Sequence, residues 1–133
     1  MSQPIVRVKE VMKIEFDCID GMTTVADALN TMKHKETKLL VVDKRDDNDE
    51  YGVVLINDIA NQVLAKDRSP VRVNVYEIMT KPAISVHANM DIRYCARMFE
   101  NVGVSRMPVT DNGKIVGVVS YTDLVLKGLC KSC

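Results

Sequence analysis

Two kinds of apolar pattern alternate along the chain. Val25, Ala28, Leu29 and Met32, and later Ile92, Cys95, Ala96 and Phe99, recur at helical spacing and mark one buried face each. Leu39 to Val42 shows no alternation, which suits a strand covered on both sides, and Ile115 to Val119 reads as a second buried strand. Ile14 to Ile19 alternates as a half-buried strand does, and residues 8 to 12 read as a short helical turn. The pattern predicts a helix opening at Thr24, with Asp27 as a short capping box, and a strand from Tyr51 to Ile56. It further predicts helices over Asp58 to about Ala65, over Asp91 to Asn101, and from Asp123 to about Lys127. Lys81 to Val86 reads as extended, Gly103 as a left-handed helix end, and Asp111-Asn112-Gly113 as a tight hairpin turn between Met107–Val109 and Lys114–Ser120.

These elements occur twice. Val8-Lys9-Glu10-Val11-Met12 matches Val75-Tyr76-Glu77-Ile78-Met79, and the first helix matches the second, both at a spacing of 67. Thr37 to Asp43 then pairs with Ser105 to Asp111 at 68, setting Lys38 against Arg106 and Leu40 against Pro108. The stretch Gly52 to Ile59 pairs with Gly117 to Leu124 at 65, each with an Asp at the sixth position after the glycine. The expected division is therefore a first repeat over residues 5–66, a linker over 67–74, a second repeat over 75–128 and a tail over 129–133. Ser69-Pro70 suits the linker, because proline removes a donor and disfavours helix just before it.

Composition narrows the function classes. Lys and Arg total 18 and Asp and Glu total 18, so no positive excess marks a nucleic-acid or membrane-surface binder. No apolar run approaches the roughly 20 residues of a bilayer span, and Met1-Ser2-Gln3-Pro4 lacks a basic segment followed by an apolar one. A cytoplasmic protein is expected, and the low density of Cys18, Cys95, Cys130 and Cys133 fits a reducing compartment. Cys130 and Cys133 have the spacing of half a zinc site, but such a site needs four ligands; incidental cysteines, a shared site or a truncated one all remain open. The run Asp46-Asp47-Asn48-Asp49-Glu50 lacks the glycine and spacing of a calcium loop and reads as a solvated hairpin tip. His34 and His87 neighbour no evident nucleophile, so catalysis is not expected and no metal site is assigned.

The candidate chemistry sits at the start of the last helix. Ser120 and Thr122 supply hydroxyls, Asp123 two acceptor oxygens, and the open amides of that turn can receive an anion. A carboxylate flanked by hydroxyls suits a ribose, and the forked guanidinium of Arg106 suits a phosphate, so the combination points to a nucleotide. The same residues also read as an ordinary helix cap, a first-turn acid and a surface cation.

The order Glu-aliphatic-Met, a helix opening on Thr-Val or Asp-Ile, then Ser-Arg-Met-Pro-Val-Thr-Asp, then Gly-Val-Val-Ser-Tyr-Thr-Asp resembles a tandem pair of CBS domains, or Bateman module, over about residues 5 to 128. The resemblance implies an α+β fold of two β-α-β-β-α repeats with pseudo-two-fold symmetry, sheets packed together and helices outside. It implies that Asp123 holds a ribose, that Ser120, Thr122 and Arg106 meet phosphate, and that Pro82, Ala83 and Ile84 flank an adenine in the cleft between repeats. Asp58 and Lys38 remain in the first repeat, where Leu55 replaces the hydroxyl and cannot replace its bonds. The expected function is regulatory sensing of an adenosine-containing ligand, AMP or ATP foremost, with ADP, S-adenosylmethionine and NAD as further candidates and no required cofactor. A homodimer and an unidentified regulated protein are the expected partners. The alternative is an adaptor module with an empty cleft.

Overall fold

The computed structural model describes residues 4–129. The described residues divide into two compact units, one of residues 16–83 and one of residues 4–15 with 84–129. Each holds a three-stranded mixed sheet with helices beside it, so the architecture is α+β.

In the first unit the strands are β1 (Asp17–Ile19), β2 (Leu39–Val42) and β3 (Gly52–Leu55). β1 runs parallel to β2 and β2 antiparallel to β3, with Leu39 opposite Leu55. In the second unit β4 (Val86–His87), β5 (Arg106–Asp111) and β6 (Lys114–Ser120) repeat that order and those directions, with Arg106 opposite Ser120. Asn112 and Gly113 both take positive φ, 52° and 76°, the geometry a two-residue hairpin demands. β1 and β4 are shorter than the apolar patterns suggest: Ile14 is 71% exposed, and the residues before Asp17 act as connector rather than strand.

The helices are α1 (Val8–Val11), α2 (Val25–Thr31), α3 (Ile56–Ile59, continuing in wider turns over Ala60–Leu64), α4 (Ile92–Val102) and α5 (Tyr121–Asp123, continuing over Leu124–Leu129). α4 runs 11 residues and closes on Gly103 at φ 82°, whereas α2 runs 7 and has no such glycine. Its end is held instead by the Asp17 carboxylate, which accepts from the amides of Lys33 and His34 at 2.9 Å each. α3 and α5 begin two residues earlier than their acids suggest. Asp58 and Asp123 are third-position residues that reach back to the cap amide, not first-position residues.

Packing units and sequence repeats do not coincide, because the repeats exchange their opening segments. Val8, Val11 and the connector to Lys13 pack with residues 84–129, and Val75, Ile78 and Thr80 pack with residues 16–65. The exchange is written in matching backbone bonds. Val8 N and Lys9 N donate to Met90 O and Ala88 O at 2.9 Å, and Ile92 N donates to Val6 O at 2.9 Å. In the other unit Val75 N and Tyr76 N donate to Thr23 O and Gly21 O at 2.8 and 2.9 Å, and Val25 N donates to Val73 O at 2.8 Å. Lys13 and Val118 then exchange a pair of bonds, as Thr80 and Val53 do.

Each unit has its own core. Val8, Val11, Val86, Cys95, Phe99, Met107 and Val119 form one, and Val25, Ala28, Leu40, Val42, Val54 and Val75 the other. Phe99 is fully buried and packs against Tyr121 in a T-shaped pair, ring centroids 5.0 Å apart. Truncating it leaves a large void, so Phe99→Ala is expected to lower unfolding free energy by about 3–5 kcal/mol. Gly103→Ala meets no atom within 4 Å but must hold a left-handed conformation, and is expected to cost about 1–2 kcal/mol. Urea denaturation of both variants against wild type checks the order.

Candidate functional site

The sequence around Asp123 is folded by its own capping chemistry. β6 ends at Ser120, whose extended backbone (φ −124°, ψ 168°) turns the chain into α5. The Ser120 hydroxyl accepts from the Asp123 amide at 3.3 Å, and the carboxylate Oδ2 of Asp123 accepts from both the Ser120 amide and the Ser120 hydroxyl at 3.0 Å. Oδ2 is thereby committed to the cap. Oδ1 faces Lys13, whose ammonium lies 2.6 Å away, and Lys127 one helical turn on, at 3.5 Å. The Asp123 side chain is 3% exposed and Lys13 27%.

Burial alone would raise the Asp123 carboxyl. Hydrogen bonds from Lys13 and Ser120, with the Lys13 charge, outweigh it and hold the group below its ordinary value of 3.8. Arg106 stands opposite Ser120 across β5 and β6. Burial lowers its guanidinium below the ordinary value, and the Asp123 charge acts against that shift. Asp123, Ser120 and Arg106 therefore meet in one place, as the motif suggested, with Thr122 exposed on the same turn. Lys13 was missed. It lies 110 residues from Asp123, and only the exchanged opening segment brings it there.

The counterpart in the other unit keeps the acid and loses the cations. Asp58 Oδ2 accepts from the Leu55 amide at 2.8 Å, but Leu55 has no hydroxyl to complete the box. Thr80 stands where Lys13 does, paired to Val53 as Lys13 is to Val118. The strand register corrects the expected pairing of Lys38 with Arg106. Leu39 is opposite Leu55 and Arg106 opposite Ser120, so Leu39 is the counterpart of Arg106 and Met107, not Pro108, that of Leu40. The spacing of 67 holds into the strands, because the shorter helix α2 is followed by a longer connection, and Leu39 follows Val25 at the same distance along the chain as Arg106 follows Ile92. Lys38 instead sits one residue earlier, at φ 56°, with its carbonyl accepting from Ile56 N at 3.1 Å.

Pro82 and Ala83 belong to the unit that holds Asp58 and Lys38, and Ala83 N donates to Tyr51 O at 2.8 Å. Ile84, 45% exposed, begins the return into the unit that holds Asp123. The adenine-flanking segment assigned from the motif is thus divided, and the connector beside Asp123 is the one around Lys13.

Other candidate features resolve into structure. Asp49 of the acidic run is paired with Arg45 at 3.0 Å and Lys81 at 2.8 Å, and Asp46 accepts from Asn48 N at 2.8 Å. A cavity of about 540 Å³ beyond the end of β2 is lined by Met22, Val42, Tyr76 and Met79, with Arg45 and Lys81 at its side, and shares no residue with the predicted site. Burial pushes the thiols of Cys18 and Cys95 up to about 11, with Asp43 adding to the first, so both are protonated near neutrality. Among the described residues no cluster of three or more His, Cys, Asp or Glu side chains could hold a metal, and no helix is long and apolar enough to cross a membrane. Cys130 and Cys133 lie outside the described residues.

The depressed carboxyl has a consequence for stability. Its contribution is complete above 3.8, the ordinary value, and is lost as pH falls through the lower folded value. The stability difference between wild type and Asp123→Asn is expected to be largest near neutral pH and to shrink below about pH 4. Urea unfolding at pH 7 and pH 3 measures it.

Comparison with known proteins agrees with this architecture. The CBS domain family matches residues 8–65 and residues 75–128. A hexameric CBS-CP12 protein from bloom-forming cyanobacteria is 35% identical, with a TM-score of 0.87 over 92% of this chain and 71% of that one. A CBS domain pair solved with 5′-methylthioadenosine and S-adenosyl-L-methionine shares the fold, with a TM-score of 0.79 at 22% identity over 96% of this chain and 99% of that one. An uncharacterised protein of Methanopyrus kandleri is 26% identical over 77% of this chain, which spans about half, 52%, of that relative's length. Two family matches in tandem, falling on two sheets of one strand order joined by exchanged opening segments, place the chain in the CBS domain family as a pair of repeats.

Proposed function

We propose that the chain is a regulatory module that binds an adenosine-containing ligand at Asp123. The observation that carries this reading is a carboxylate 3% exposed, capped by Ser120 on one oxygen and surrounded on the other side by cations. In the proposed complex Asp123 takes the ribose hydroxyls, and Arg106, with Ser120 and Thr122, faces the phosphate. AMP and ATP fit best, with ADP and NAD in the same charge class. That a structural neighbour was solved with 5′-methylthioadenosine and S-adenosylmethionine supports the nucleoside part of the assignment. Asp58, Pro82 and Ala83 share a unit and form the candidate lesser place, with Lys38 bonded through its carbonyl to the Ile56 amide but not the equivalent of Arg106.

The output is regulatory and not catalytic: ligand binding favours one arrangement of the chain and its partners over another by its difference in affinity for the two. Exposed Leu64, Val125, Leu126 and Leu129 support association of the chain with itself as a homodimer through helical surfaces.

Calorimetric titration with AMP, ATP and S-adenosylmethionine, repeated on Asp123→Ala, tests the proposal. Saturable binding of at least one ligand, lost in the variant, is the expected result. Absence of binding by all three sends the function to the adaptor alternative.

A further inference from the structure

The carboxylate proposed to hold the ribose is already occupied. Oδ2 of Asp123 is taken by the amide and hydroxyl of Ser120, and Oδ1 is taken by the Lys13 ammonium at 2.6 Å, with Lys127 behind it at 3.5 Å. A sugar diol that binds here needs Oδ1 as an acceptor, and so competes with an internal cation. The Lys13 side chain is largely buried, and an ammonium released there must find another acceptor or lose part of its solvation.

We propose that Lys13 is a latch on the Asp123 carboxylate that opens for ligands carrying an anionic group next to the ribose, and so selects nucleotides over uncharged or cationic nucleosides. This rests on the reading of Asp123 as the ribose site. A phosphate on the 5′ position offers oxygens to the displaced Lys13 ammonium in charge-assisted bonds, so the latch changes partner without leaving a bare charge. Adenosine displaces it and offers nothing. S-adenosylmethionine brings a sulfonium into the neighbourhood of Lys13, Lys127 and Arg106, and meets like charge.

The chain contains its own control. At the equivalent places of the other unit, Thr80 stands for Lys13, Leu39 for Arg106, Leu55 for Ser120, and Gln62, 65 residues before Lys127, for Lys127, while Asp58 keeps the acid. That unit builds the same strand-to-helix turn and the same exchanged bridge with none of these three cations. The cations around Asp123 are therefore not required by the strand-to-helix turn: Lys13 and Lys127 both face Oδ1, and the charge of Arg106 acts on the same carboxylate. Lys13 is the member in direct contact, and a threonine is accommodated in its place.

The test is calorimetric titration of wild type, Lys13→Met and Lys13→Thr with adenosine, AMP and S-adenosylmethionine, with circular dichroism melts of all three proteins. Lys13→Thr places at this position the residue that the other unit already folds around. Wild type is expected to bind AMP at least about tenfold more tightly than adenosine, and adenosine more tightly than S-adenosylmethionine. In both variants adenosine binding strengthens while AMP binding does not, so the ratio between them falls toward one. A ratio unchanged in both variants, with wild-type binding intact, overturns the latch and leaves the nucleotide site standing. Failure of wild type to bind any of the three overturns the nucleotide site itself, and the latch with it.

Discussion

The structure depends on a backbone exchange. Each repeat sends its opening turn to the other, where two amides meet carbonyls before the helix and a connector residue pairs with the last strand. The bonds are main-chain to main-chain and recur in the same pattern on both sides, so they depend on register rather than on side-chain identity. That explains how Lys13 and Thr80 hold equivalent places. The apolar residues of those turns, Val8, Val11 and Val75, are at most 1% exposed and sit inside the cores they visit. Neither core closes with the residues of one repeat alone.

On this frame the two units have diverged in a single respect that concerns chemistry. Both keep an acid reaching back to a cap amide, because that bond turns the chain from strand to helix. One unit surrounds its acid with a hydroxyl and cations; the other has Leu55, Thr80, Leu39 and Gln62 at the equivalent places. A carboxylate as buried as Asp123 is costly unless bonded on both oxygens, and Ser120 with Lys13 meets that cost within the folded chain.

Much of this was legible in the sequence, and the parts that were not share a cause. Strand and helix positions followed from apolar spacing, the duplication from matched words, and the meeting of Ser120, Asp123 and Arg106 from their places around one hairpin. Local chemistry is visible in local sequence. The exchange of opening segments was not legible, because amide-to-carbonyl pairing leaves no trace in side-chain choice. Lys13 was lost with it, being one of many lysines until its distant partner is known. The pairing of Lys38 with Arg106 failed for another reason. Two basic residues one position apart align more readily than a leucine with an arginine, yet the register opposite Leu55 and Ser120 leaves no choice.

The exchanged segments also bear on how such a chain could have arisen. A half-length ancestor with one repeat would possess an opening turn and a last strand that, in this arrangement, do not pair with each other. It could satisfy both only through a second copy, so a single repeat in this arrangement would fold only as a pair. With both repeats on one chain the pairing is intramolecular and independent of concentration. The two halves of one chain can also carry different residues at equivalent places, as Lys13 and Thr80 do, which two identical copies could not.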